Sequence, residues 1–93
     1  MNDIELLRKQ IDSIDQSMKK LFIERMDLVA KVAYWKSKNN YPIFDPIREK
    51  QMIDNNVNSL GNQELSRYYE DFLKAILKLS KDYQISLIAR GTL

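Results

Sequence analysis

The chain has 93 residues, of which 44% are hydrophobic, and this composition suits one small domain over residues 1–93 with a modest core. Its 15 basic and 13 acidic residues leave a formal charge of +2, which is too balanced for a general nucleic-acid or membrane-surface binder. The sequence contains no Cys and no His, which excludes disulfides, thiolate nucleophiles, imidazole bases and the usual zinc or haem ligands.

A long apolar pattern predicts a first helix from about residue 4 to residue 38, which Asn2 or Asp3 can cap. Apolar residues recur at steps of four and three, in one line formed by Leu7, Ile11, Ile14, Met18, Leu21, Leu28, Val32 and Trp35. A second line beside it comprises Phe22, Met26, Val29 and Ala33. At about 1.5 Å per residue the helix would be on the order of 50 Å long, whereas a compact domain of this size has a radius of gyration of about 12 Å. We therefore expect this helix to extend beyond its own globule, where one neighbouring helix cannot cover it.

Two further helices are predicted. Asp45 followed by Pro46 starts the second, over about residues 46–59, and Gly61 ends it. Asn62 can cap the third, over about residues 63–89, and residues 90–93 are expected to be a frayed tail. The main apolar line of the third helix is Leu65, Tyr69, Phe72, Ile76, Leu79 and Tyr83. An adjacent line carries polar residues at two positions and comprises Leu73, Leu77, Ser80, Gln84 and Leu87.

Polar residues on these inward lines are the candidates for function. Arg25 interrupts the first apolar line, and Lys36 follows it by eleven residues, on nearly the same face and about 16 Å along the axis. Two cationic side chains so spaced can converge on one small anion, although Arg25 alone is equally compatible with a register-fixing ion pair in a coiled coil. Arg8 lies seventeen residues before Arg25, about 25 Å away, and could serve only a site in a partner chain.

The other polar candidates also have ordinary structural interpretations. Arg48 and Glu49, at the start of the second helix, are of the type often found on surfaces, and Ser80 and Gln84 could be tolerated seam residues. Each helix nevertheless places polar groups on an inward line.

The order and spacing of these residues resemble the AroQ class of all-helical chorismate mutases over nearly the whole chain. The matching segments are Leu7-Arg8, Ile11–Asp15, Glu24-Arg25, Val32–Lys36, Pro42–Glu49 and Ser80–Gln84. The resemblance implies an all-α fold with three helices per protomer, long, short and long. It also implies an intertwined homodimer with long antiparallel first helices, in which each active site takes one arginine from the other chain.

The resemblance further implies the roles of individual residues. Arg8 from the partner chain and Arg25 would bind the two carboxylates of chorismate, with Arg48 and Ser80 supporting that region. Lys36 and Gln84 would donate hydrogen bonds to the ether oxygen of the breaking bond. Glu49 and the segment at Asp45 would hold the ring hydroxyl.

The implied reaction, from chorismate to prephenate in phenylalanine and tyrosine biosynthesis, fits the composition. This concerted intramolecular rearrangement needs a folded substrate conformer and fixed positive charge, and no nucleophile, metal or cofactor. Two alternatives remain open: an isochorismate pyruvate-lyase with a similar cationic pocket, and a non-catalytic helical dimerisation or regulatory module. Glu49 favours the mutase over the lyase, and the presence of Lys36, Glu49 and Gln84 favours an enzyme over a degenerate module.

The cellular location is predicted from what the sequence lacks. It contains no apolar run of membrane length, and residues 1–5 lack the basic and apolar regions of a signal peptide. We expect a cytoplasmic protein without nucleic-acid or membrane partners.

Overall fold

The protein folds into three α-helices and one short 3₁₀ turn. The computed structural model describes residues 3–91, with α1 at Asp3–Lys38, α2 at Pro46–Asn58, the 3₁₀ turn at Gln63–Leu65 and α3 at Ser66–Ala89. The predicted all-α class and the order long, short, long are confirmed. The proposed cap at Asn2 and the tail residues Thr92 and Leu93 lie outside the described residues. No helix within residues 3–91 is both long enough and apolar enough to cross a bilayer.

The carboxyl end of α1 is closed by local backbone geometry. Asn40 adopts the left-handed conformation, with φ of 57°. Its N–H donates to the Ser37 carbonyl at 3.3 Å, and the Tyr41 N–H donates to the Lys36 carbonyl at 2.8 Å. This pair of bonds is a Schellman motif, in which Asn tolerates the left-handed position better than most residues. The chain therefore leaves α1 in a fixed direction toward α2.

The predicted cap of α2 is confirmed, whereas Asn62 caps the 3₁₀ turn that precedes α3 and not α3 itself. The Asp45 carboxylate accepts a hydrogen bond from the Arg48 backbone N–H at 3.0 Å, and Pro46 occupies the first turn of α2. The Asn62 side chain likewise accepts from the Leu65 N–H at 3.2 Å. Two predicted boundaries need small corrections. Helix α2 ends at Asn58 instead of residue 59, and residues 63–65 form a 3₁₀ turn before α3 instead of its first α-helical turn.

The molecule is elongated because α1 extends past the other helices. Its principal dimensions are 55 × 28 × 15 Å and its radius of gyration is 16.7 Å, compared with about 12 Å for a compact chain of this length. Helix α3 packs against both α1 and α2. Residues 3–24 of α1 are exposed, and burial begins at Arg25. The chain therefore covers only the carboxyl-terminal part of its longest helix.

The core lies along the second apolar line of each long helix. Its buried apolar residues are Ala33, Leu73 and Leu87, and the buried polar residues beside them are Ser80 and Gln84. The first apolar line of α1 is 46–62% exposed along its whole length. This line stays exposed because α3 approaches α1 on the side of the second line, where Ala33 is buried. Two polar residues of α3 are consequently more deeply buried than most of its apolar ones.

Candidate functional site

A polar cavity of about 170 Å³ opens where α1, α2, α3 and the loop after α1 meet. This volume is smaller than the roughly 300–1,000 Å³ of drug-sized pockets and suits a small ligand. Its polar lining residues are Arg25, Lys36, Asp45, Arg48, Glu49, Ser80, Lys81 and Gln84. Its apolar lining residues are Val29, Val32, Ile43, Met52 and Leu77. The fold thus brings together every candidate residue singled out from the sequence except Arg8.

Arg25 reaches the cavity from the middle of α1 and is held there by Ser80. The Arg25 Nη1 donates a hydrogen bond to the Ser80 Oγ, which in turn donates to the Ile76 carbonyl at 2.9 Å. Burial and, secondarily, the positive charge of Arg48 lower the pKa of Arg25. A guanidinium still remains charged at neutral pH. Arg25 and Arg48 therefore direct positive charge at a common region, where an anion would relieve their repulsion.

Lys36 enters from the last turn of α1 and joins the helix to the loop that follows. Its Nζ donates to the Ile43 carbonyl at 2.9 Å, and the side chain is partly buried. An ammonium carries three N–H donors, so this bond fixes the position of the group and leaves donors for a ligand. The loop contact thereby orients the Lys36 charge at the cavity.

The first turn of α2 supplies both positive and negative groups. Asp45 uses one carboxylate oxygen to cap the helix, and Glu49 is partly buried one turn later. Among residues 3–91, the Arg48 guanidinium makes no hydrogen bond or ion pair to the protein, since its backbone N–H alone bonds Asp45. Its donors are available to a ligand, and its charge lies at a helix amino terminus, where an anion is also favoured.

Gln84 is a buried amide whose hydrogen-bonding capacity is only partly used. Its Nε2 donates to the Ser80 carbonyl at 3.2 Å. Its Oε1 is buried and has no hydrogen-bond partner within the described part of the chain. An unsatisfied buried acceptor costs about 1–3 kcal/mol. A group held at this cost beside a cavity is a candidate for contact with a ligand.

The charges around the cavity favour an anionic ligand. Four cationic side chains and two carboxylates line it, which leaves a formal excess of two positive charges. A small dianion would neutralise this excess, and guanidinium groups match carboxylates in geometry. Within residues 3–91 no group of three or more Asp and Glu side chains is arranged to hold a metal ion.

Arg8 lies apart from this cavity, on the exposed part of α1. With α1 continuous from Asp3 to Lys38, the helical rise separates Arg8 from Arg25 by about 25 Å. An arginine side chain cannot span that distance. The candidate therefore has no route to the cavity of its own chain.

Lys81 is the polar cavity residue to which the sequence assigns no role. Its Nζ lies 3.2 Å from the Glu49 carboxylate, and it follows Leu77 by four residues. That spacing puts it on the inward side of α3, which is a signal that periodicity could have supplied. What the sequence could not supply was its partner, because Glu49 lies on a different helix.

Comparisons with known proteins agree with the resemblance seen in the motifs. The family model for chorismate mutase type II matches residues 7–85. A bifunctional chorismate mutase/prephenate dehydratase of Aquifex aeolicus is 30% identical over 96 residues, covering 95% of this chain and 26% of that protein. A chorismate mutase of Methanocaldococcus jannaschii is 46% identical over 48 residues, covering 52% of this chain and 48% of that protein. The T-protein of Enterobacter agglomerans is 41% identical over 51 residues, covering 55% of this chain and 14% of that protein. The chain thus spans half or less of each of these relatives.

Proposed function

Because the chain belongs to the chorismate mutase type II family, we propose that it rearranges chorismate to prephenate, a step toward phenylalanine and tyrosine. The observation that carries the proposal is the small cavity ringed by Arg25, Lys36, Arg48 and Lys81. Chorismate is a compact dianion, and the cavity has a matching excess of two positive charges. The reaction is intramolecular, so holding the substrate in a reactive conformer accounts for a large part of the acceleration.

In the proposed complex, guanidinium groups bind the substrate carboxylates. Arg25 is oriented by Ser80 before any ligand arrives, which reduces the entropy lost on binding. Arg48 has unused donors within the described chain. Arg48 supports Arg25 at one carboxylate region, and Arg8 of the partner subunit would bind the second carboxylate. Cations held at fixed positions on the two carboxylates favour the folded conformer of the substrate.

Lys36 and Gln84 are the proposed donors to the ether oxygen, where negative charge develops as the C–O bond breaks. The Ile43 carbonyl already orients the Lys36 ammonium, so little reorganisation is needed during the reaction. The Gln84 Nε2 has a second N–H beyond the one bonded to Ser80. The contact is stronger in the transition state than in the ground state, and such contacts raise kcat.

Glu49 is the proposed partner of the ring hydroxyl, with the Asp45 segment beside it. A carboxylate accepts hydrogen bonds, and Glu49 lines the cavity at the first turn of α2. Asp45 has one oxygen occupied by the helix cap and a second that is available. A carboxylate at this position accepts a hydrogen bond from a substrate hydroxyl, and it would repel a further carboxylate on a ligand.

We further propose that a second copy of the chain covers the exposed part of α1 and completes the site. An apolar cavity of about 470 Å³ lies between α1 and α3, lined by Met18, Leu21, Phe22, Met26, Phe72, Ala75, Ile76, Leu79 and Arg25. The exposed first line of α1 continues from it toward the amino terminus. Apolar surface of this extent favours burial in an interface. Antiparallel pairing of two α1 helices would bring Arg8 of the partner subunit to the cavity.

The proposed activity is tested by the loss of chorismate absorbance with purified protein, with prephenate identified as the product. Chorismate turnover that depends on Arg25 would support the assignment as a mutase. Release of pyruvate from isochorismate in place of prephenate formation would identify the lyase alternative. Binding of chorismate without turnover by the folded protein would identify the regulatory alternative.

A further inference from the structure

Lys81 differs from the other paired lysines of the structure in where its partner lies. Lys50, Lys74 and Lys78 pair with carboxylates one turn away on the same helix. The Lys78 side chain, for example, is 75% exposed. Lys81 reaches from α3 to Glu49 on α2, and the two side chains are only 29% and 21% exposed. An inter-helix pair that is shielded in this way is screened less by solvent and salt than the surface pairs.

Three contacts restrain the Lys81 ammonium and, through it, the Glu49 carboxylate. Its Nζ lies 3.2 Å from each of the two Glu49 oxygens. It also lies 4.6 Å from the centroid of the Phe44 ring, on the loop after α1. This distance is within the range of a cation–π interaction. Lys81 thus links α3, α2 and the loop at the edge of the cavity.

Contact with both oxygens limits the rotation of the Glu49 carboxyl group. A lone Glu side chain has three rotatable bonds, and its terminal torsion is broad. A single ammonium placed between the oxygens selects one orientation and leaves lone pairs on each oxygen for a second donor. Without Lys81, the Glu49 carboxylate would lack this restraint.

We propose that Lys81 is a positioning residue, which fixes the orientation of Glu49 so that this carboxylate accepts a hydrogen bond from the substrate hydroxyl. The proposal rests on the proposed mutase function. Lys81 acts through Glu49 and not on the substrate directly. Phe44 supports it by holding the ammonium from the loop side, so the loop and the acceptor are positioned together.

A double-mutant cycle between Lys81→Met and Glu49→Gln separates positioning from other roles. With Glu49 present, Lys81→Met should lower kcat/KM about three- to tenfold, since the lost pair is only partly shielded. In the Glu49→Gln background the same change should cost less than about twofold, because nothing remains to be positioned. An equal loss in both backgrounds would overturn the proposal, since Lys81 would then act on the substrate directly or through net charge alone.

Further variants exclude a purely structural effect. Lys81→Arg should stay within about threefold of wild type, because a guanidinium can also bind both carboxylate oxygens and stack on Phe44. Lys78→Met removes the same charge from α3 outside the cavity and should leave turnover unchanged. A chorismate analogue without the ring hydroxyl should be converted equally by wild type and Lys81→Met. A persistent difference with this analogue would contradict the role assigned to Lys81.

Crystal structures provide a readout that does not depend on turnover. Glu49 should keep its orientation in Lys81→Arg and leave the cavity or become disordered in Lys81→Met. An unchanged Glu49 in Lys81→Met would refute the positioning role even if the wild type proved inactive. Absence of chorismate turnover by the wild type together with a displaced Glu49 would instead refute the mutase function and keep the structural role of Lys81.

Discussion

Replacement of Lys36 by Met removes a cavity cation while changing the helix little. Met is unbranched and has a helix propensity close to that of Lys, so α1 should continue to Lys38. The change deletes one hydrogen bond seen in the structure, from Nζ to the Ile43 carbonyl at 2.9 Å. It also deletes the proposed donor to the ether oxygen. The two losses affect different measurements.

The expected magnitudes separate the two losses. A hydrogen bond from a charged group contributes about 1–2 kcal/mol to stability when partly exposed, and the Ile43 carbonyl can be hydrated in its absence. A donor to charge that develops in the transition state contributes about 3–4 kcal/mol, or a factor of about 10²–10³ in kcat. We therefore expect Lys36→Met to remain folded and to lose most of its turnover.

The assay combines chorismate consumption with thermal unfolding followed by far-ultraviolet circular dichroism. Lys31→Met is the matched control, because Lys31 is exposed on the same helix and does not line the cavity. That control should retain both activity and stability. A loss of less than about tenfold in kcat for Lys36→Met, with the protein folded, would refute the reasoning about the ether oxygen.

Three other changes test other parts of the proposal. Mixing inactive Arg8→Ala and Arg25→Ala subunits should restore up to about a quarter of wild-type activity, because half of the dimers carry one intact site. No recovery after proven subunit exchange would exclude a shared site. On the alkaline side of the pH–activity profile, Arg25→Lys should lose activity at a lower pH than the wild type does. The burial and the Arg48 charge that lower the pKa of Arg25 would also lower that of a lysine there, which then deprotonates as the pH rises. Ala33→Leu should destabilise the fold by about 1–3 kcal/mol, because Ala33 is 0% exposed where the helices pack. An unchanged midpoint of thermal unfolding would contradict that packing.

Four residues of the candidate site could be predicted from the sequence because they repeat at helical spacing, whereas only the resemblance to the family points to Asp45 and Arg48. Arg25 and Lys36 share a face of α1, and Ser80 and Gln84 share a face of α3. Polar residues on inward lines are unusual enough to mark a cavity. The contacts between helices could not be predicted in this way. The bond from Arg25 to Ser80 spans 55 residues, and the pair of Lys81 with Glu49 spans 32.

The sequence by itself determined the helices and, to within one residue or one turn, their ends, because those depend on interactions within a few residues. Asp45 and Asn62 cap the next turn, and Asn40 closes α1 with a local Schellman motif. Only the tertiary structure decided which of two apolar lines each long helix buries. Both lines have apolar side chains at helical spacing, so the transfer of either from water is favourable. The choice depends on where α3 crosses α1, and that placement leaves the longer line exposed and puts Ser80 and Gln84 in the core.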